Sequence, residues 1–199
     1  MGLVKLVYGL NINGYVVIGI SEYNYAGDNI VLELMRKFKK VQIDDWFDAD
    51  ISFLPEGITH LNIGCSFNHS LENLPSTLKH LQISKYGDIG YNVFNKPLDY
   101  LPQGLESLHI GFTQSFNNSI DNLPSSLKSL TIINNDLDIN INNLPNSIEN
   151  LNVKKFDFTN TFNLPSNLKK MKISSLQKNK PGFVEFIQRF ANRNIEFYE

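Results

Sequence analysis

Three of the four histidines, His60, His80 and His109, fall in three similar stretches of the chain: His-Leu-Asn-Ile, His-Leu-Gln-Ile and Ser-Leu-His-Ile. In an extended strand His60 and Asn62 share one face, as do His80 with Gln82 and Ser107 with His109, while the intervening aliphatic residues take the other. If these strands lie parallel and side by side, His60 and His80 stand in one column about 4.8 Å apart. His109 then lies two residues along its strand, diagonally across the next rung. Imidazoles placed this way are open to three kinds of chemistry. They form a stacked polar ladder, packing on one another and on Ser107 or Gln82. They hold a metal ion, although no Cys or carboxylate is placed to complete a tetrahedral set. Or they form a pH-sensitive contact, because adjacent imidazoles resist simultaneous protonation and a ligand held there loosens below about pH 6. The residues favour the ladder, and no metal or cofactor is expected.

Other reactive chemistry is sparse. The single Cys65 follows one of these strands and reads as a small packing residue rather than a nucleophile. One cysteine excludes an internal disulfide, so nothing points to secretion and the cytoplasm is the expected compartment. There is no Gly-rich phosphate loop, paired-Cys motif or Gly-x-Ser-x-Gly turn, and the carboxylates sit singly; the chain reads as a non-enzyme. Asn68 and Asn117 head glycosylation sequons, but both fall at a position expected to face inward, so a structural role is expected instead.

The histidine stretches belong to a longer unit, clearest over residues 105–124: a strand-like Leu-x-x-Leu-x-Ile, then Phe-Asn, then Ile-x-x-Leu-Pro. The Leu-Pro pair recurs at Leu54, Leu74, Leu101, Leu123, Leu144 and Leu164, at spacings of 20, 27, 22, 21 and 20 residues. A period this short cannot form a self-sufficient domain, so each unit must bury its apolar side against its neighbours. The strands around Leu61, Leu81, Leu108, Leu130, Leu151 and Met171 should therefore stack into one parallel sheet. Phe67, Phe94 and Phe116 should form a filling column behind that sheet. The asparagine after each should satisfy backbone groups of the tight coil.

These motifs together resemble the FNIP-type leucine-rich repeats of social amoebae and giant DNA viruses. The resemblance covers roughly residues 38–176 and implies a strand-dominated α/β solenoid with one curved parallel sheet. Such repeats often accompany an F-box, which implies a substrate-recognition role in ubiquitin ligation; here the segment before the repeats reads as a hairpin and helix rather than an F-box. A viral origin would make the compartment the host cytoplasm. Two units depart from the pattern: Leu137-Asp138 replaces Phe-Asn, and residues 157–163 offer only Phe158 and Phe162, which predicts looser packing on the convex side there.

Both ends of a solenoid need covering. Residues 1–40 read as an N-terminal cap: strands over 3–10 and 15–20, then a helix from Asp28 or Asn29 to about Lys39, with Ile30, Leu34, Met35 and Phe38 on its buried stripe. Residues 41–176 hold the repeats. Residues 177–199 form the second cap, a helix from Pro181 to about Asn192 and a last strand over 195–197, giving eight parallel strands plus the hairpin in a single folded domain.

With a net charge of −2 and no apolar run long enough for a membrane helix, neither nucleic acid nor membrane is an expected partner. The expectation is a non-catalytic protein-interaction module. Its concave face would present His60, Asn62, His80, Gln82, Ser107, His109, Ser129, Thr131, Asn150, Asn152, Lys170 and Lys172 to a protein partner. The long repeat inserts a loop with Tyr86 and Tyr91, read either as a tolerated surface loop or as a projecting contact. Asp44, Asp45, Asp48, Asp50 and Glu56 lie near one end and a lysine cluster over residues 154–180 near the other. That asymmetry leaves open a self-associating homo-oligomer or an acidic partner at the C-terminal end.

Overall fold

The computed structural model describes residues 7–10, 14–19, 29–84, 92–113, 116–134, 139–174 and 177–198. Among these residues ten strands form one sheet in strict chain order. Strands β1 (Val7–Leu10) and β2 (Val16–Gly19) pair antiparallel as the expected hairpin. From β2 onward every pairing is parallel: β3 (Lys40–Ile43), β4 (His60–Ile63), β5 (His80–Ile83), β6 (Ser107–Thr113), β7 (Ser129–Asn134), β8 (Asn150–Val153), β9 (Lys170–Lys172) and β10 (Glu196–Tyr198). The expected eight repeat and cap strands are present in the expected order.

One physical rule sets the register. Val41, Leu61, Leu81, Leu108, Leu130, Leu151 and Met171 are all buried and pair in a single column, so a one-residue slip would expose the whole series. The Leu-Pro pair closes each coil. The carbonyls of Pro75, Pro102, Pro124, Pro145 and Pro165 each accept the amide three residues on, at 3.0–3.2 Å, turning the chain into the next strand. Proline suits this corner because its carbonyl is needed there and its missing N–H is not.

Behind the sheet runs the phenylalanine column. Phe47, Phe67, Phe94 and Phe116 are buried. The rings of Phe67 and Phe94 stack with centroids 6.2 Å apart, and those of Phe94 and Phe116 at 6.3 Å. The asparagines that follow point along the stack rather than into it, which corrects the inward placement expected from sequence. Asp48 Oδ1 accepts the Asn68 amide at 3.1 Å, Asn68 Oδ1 accepts that of Asn95 at 2.9 Å, and Asn95 Oδ1 accepts that of Asn117 at 3.2 Å. Each side chain thus satisfies the next coil's backbone. Asn117 itself is exposed, so burial is no argument against its sequon.

The expected loose packing over residues 157–163 is not found. Asp157 anchors that loop through Thr159, Asn160 and Thr161, and Phe158 is buried beside Phe156 with ring centroids 4.5 Å apart. Both rings meet Phe186 of the C-terminal helix, which restores in another arrangement the packing the regular column would have given. The irregular pair splits in fate, since Phe162 is 60% exposed with the Arg189 guanidinium over its ring. Leu137 and Asp138 lie outside the described residues.

The caps differ from expectation in detail. Helix α1 spans Asn29–Phe38; Met35 is fully buried and Phe38 half-buried, while the side chains of Ile30 and Leu34 lie outside what is described. Helix α2 spans Phe183–Phe190 and is continued by a 3-10 turn over Ala191–Arg193. It starts two residues later than Pro181 because Gly182 caps it in a left-handed conformation (φ 80°), where an added Cβ would strike Thr159. The last strand is displaced by one residue from the expected one. Phe186 and Phe190 are buried, and Phe183 and Ile187 half-buried, on the expected helix face.

Candidate functional site

The face of the sheet opposite the core carries two registered columns of polar side chains. One runs Lys40, His60, His80, Ser107, Ser129, Asn150, Lys170, Glu196. The second runs Gln42, Asn62, Gln82, His109, Thr131, Asn152, Lys172. All twelve residues expected on the concave face are therefore brought together, and Lys40 and Gln42 of the first rung extend the set. Alternation dictates this: in β3 to β8 the first and third residues are exposed or half-buried and the second and fourth are buried. Tyr86 and Tyr91, the suggested loop contact, lie outside the described residues.

The histidines sit as their register requires. His60 and His80 stack with ring centroids 4.2 Å apart and planes inclined by 27°. The edge of the pair is finished by Tyr15, which meets His60 edge-on at 6.5 Å and carries the Lys40 ammonium 5.6 Å from its ring centre. His60 Nδ1 lies 2.9 Å from Thr59 Oγ1, which fixes the ring's rotation. Burial holds the His60 imidazole below the usual histidine range, and the neighbouring His80 and Lys40 push it the same way. Burial also depresses His109. Gly111 keeps space beside that ring, since a Cβ there would lie 3.3 Å from His109 Nε2. Both imidazoles are accordingly neutral at pH 7, able to donate and accept at once. Among the described residues no three His, Cys, Asp or Glu side chains are grouped to hold a metal ion.

Flanking the histidines is a feature the sequence reading missed. At the residue preceding each of β5 to β9, Lys79, Glu106, Lys128, Glu149 and Lys169 alternate in sign. Glu106 meets Lys79 at 3.5 Å and Lys128 at 2.8 Å, and Glu149 meets Lys169 at 2.7 Å. Lys128 in turn holds the Glu106 carboxyl below the usual carboxylate range. Lys170 pairs with Glu196 at 3.1 Å. The C-terminal lysine cluster is thus partly balanced by acids outside its own stretch of sequence. The alternation was available as a column at a fixed offset from each Leu-Pro, and is visible only once the repeats are aligned. Asn92 was also missed: it is buried, donates to the Gly111 carbonyl at 2.7 Å and accepts the Phe94 amide at 3.0 Å, so it closes the long repeat onto the regular column.

Residues 50–86 and 94–135 match the family model of the FNIP repeat. Those two stretches are FNIP repeats. The two matched stretches contain all of β4 to β7, so the three histidines lie within FNIP units, and the break between them falls beside the long repeat's insertion. Among solved structures the chain is similar to CroV588, described as a novel circular leucine-rich-repeat protein, at 28% identity and a TM-score of 0.47. That match covers 67% of this chain and 23% of CroV588, so this chain spans about a quarter of that protein's length. No curated protein matches.

Proposed function

We propose that the chain is a non-catalytic protein-interaction module of the cytoplasm that binds a protein partner across the two polar columns of its concave face. The observation that carries this reading is the columns themselves. From β4 to β8 every position of the two columns is a His, Asn, Gln, Ser or Thr, held in register by the buried series beneath. Such a surface offers rows of donors and acceptors on a rigid support, which lowers the ordering cost of binding. The stacked His60–His80 pair and the half-buried His109 form the N-terminal half of the face and act there without metal, as pre-oriented hydrogen-bonding groups. A FNIP-repeat solenoid suits this role because each repeat contributes one rung of side chains to a continuous surface.

The experiment is a capture assay from cell extract with three forms of the protein: wild type, a concave variant (Gln82→Glu with Asn152→Glu), and a convex control (Tyr100→Glu). The reading expects a partner retained by wild type and the convex control and lost by the concave variant. A partner lost by the convex control and kept by the concave variant would contradict it.

A further inference from the structure

The two ends of the stack carry complementary surfaces. At the first coil, Trp46 is 77% exposed, and it is the chain's only tryptophan. Its backbone amide donates to Asp44 Oδ1 at 2.9 Å, so the indole projects from a fixed turn. Asp44, Asp45 and Asp48 surround it in sequence, and no Lys or Arg occurs between residues 44 and 56.

At the other end, α2 and β10 leave an apolar groove of about 360 Å³. Ile173 and Phe197 line it from the sheet and Phe183 and Ile187 from the helix; Val184, 59% exposed, and Tyr198, 40% exposed, stand at its rim. The surroundings are basic. Lys178 lines the groove, Lys172 lies beside Tyr198 in register, and Lys180 opens the turn that leads into Phe183. Gln188 on the wall offers an amide oxygen to an incoming indole N–H.

We propose that this groove receives Trp46 of a second copy of the chain, in a head-to-tail contact. The apolar groove suits an aromatic anchor, and tryptophan is the residue most enriched at energetically dominant contacts. Carboxylates around the anchor and ammonium groups around the groove set the orientation and favour encounter. The contact is heterologous: each bound pair leaves one Trp46 and one groove free, so assembly grows along the solenoid axis unless it closes. Of the concave columns only Lys172 borders the groove, and neither Trp46 nor Val184 belongs to them, so the test is separate from that of the reading above.

The test uses the single tryptophan. Emission wavelength and sedimentation mass are followed against concentration for wild type, Trp46→Ala and Val184→Glu. Both substitutions are at exposed positions, and unchanged melting curves confirm that each variant folds. Wild type should gain mass and shift its emission to the blue as concentration rises, and added salt should weaken both effects. Each variant alone should stay monomeric. Mixed together they should form a dimer and nothing larger, since Val184→Glu still supplies Trp46 and Trp46→Ala still supplies the groove. The only tryptophan in that mixture then reports its own burial. Wild type that stays monomeric with solvated emission at every concentration overturns the proposal. So does association that survives both substitutions, or variants that fail to pair when mixed.

Discussion

Replacing Phe94 with alanine removes the middle ring of a stack of three. Phe94 is fully enclosed, with Phe67 at 6.2 Å on one side and Phe116 at 6.3 Å on the other, the planes inclined by only 10° and 11°. Truncating a buried phenylalanine to alanine costs about 3–5 kcal/mol, with the larger values where the surroundings cannot close on the cavity. Closure is restricted here. Each flanking ring belongs to a coil pinned by its own turn and by the asparagine ladder through Asn68 and Asn95, so neither can slide inward without breaking backbone bonds. The loss should therefore lie in the upper part of that range, a large share of the about 5–15 kcal/mol that holds a domain folded. Urea unfolding followed by far-UV circular dichroism measures it, with Tyr100→Ala as control. Tyr100 is exposed on the convex side, and its loss should stay within about 0.5 kcal/mol. Because coils couple only to their neighbours, Phe94→Ala should also broaden the transition as the two halves separate. A midpoint and slope equal to those of the control would refute the reasoning.

Gly64→Ala should destabilise by at least about 1–3 kcal/mol, because the new Cβ would fall onto the backbone of Asp44 and Asp45 in the coil below; an unchanged melt would place that turn elsewhere. Asn95→Ala should cost about 1–2 kcal/mol by removing the acceptor for the Asn117 amide and the Asn118 side chain, whereas Asn95→Asp should be tolerated, as Asp48 is in the first coil; equal losses in the two would dismiss the ladder. Stability should fall as pH drops through about 6.5, because the unfolded chain then binds protons that His60 and His109 refuse in the folded state; it is full above that value and declines toward the lower folded values. Urea midpoints at about pH 7.5 and 5.5 test this, and His60→Gln with His109→Gln should flatten the difference; a wild-type midpoint that does not fall between them would contradict it.

Much of the frame was legible because one constraint repeats. Leu-x-x-Leu-x-Ile fixes strand direction, register and outward face together, so the histidine geometry followed from spacing alone. The phenylalanine column was legible for the same reason, each ring standing a fixed distance before Leu-Pro. What escaped depends on contacts between neighbouring coils. The direction of Asn68 and Asn95 is set by an amide about one coil away, and the alternation of Lys79, Glu106 and Lys128 has meaning only across coils. The packing of Phe156 and Phe158 escaped because their partner, Phe186, belongs to a helix nearly thirty residues later, outside the repeat pattern. Trp46 gave no periodic signal, since it occupies a turn position that other coils fill with unrelated residues, Ser66 before Phe67 and Val93 before Phe94.

The central claim is that the concave columns meet a protein partner, and position-specific photocrosslinking in living cells tests it most directly. A photoreactive amino acid is placed at Gln82 or Asn152 on the concave face and at Tyr100 or Phe162 on the exposed convex side. The account predicts a discrete, shared adduct from the two concave positions and none from the convex pair. An adduct that forms only from Tyr100 or Phe162 would contradict it.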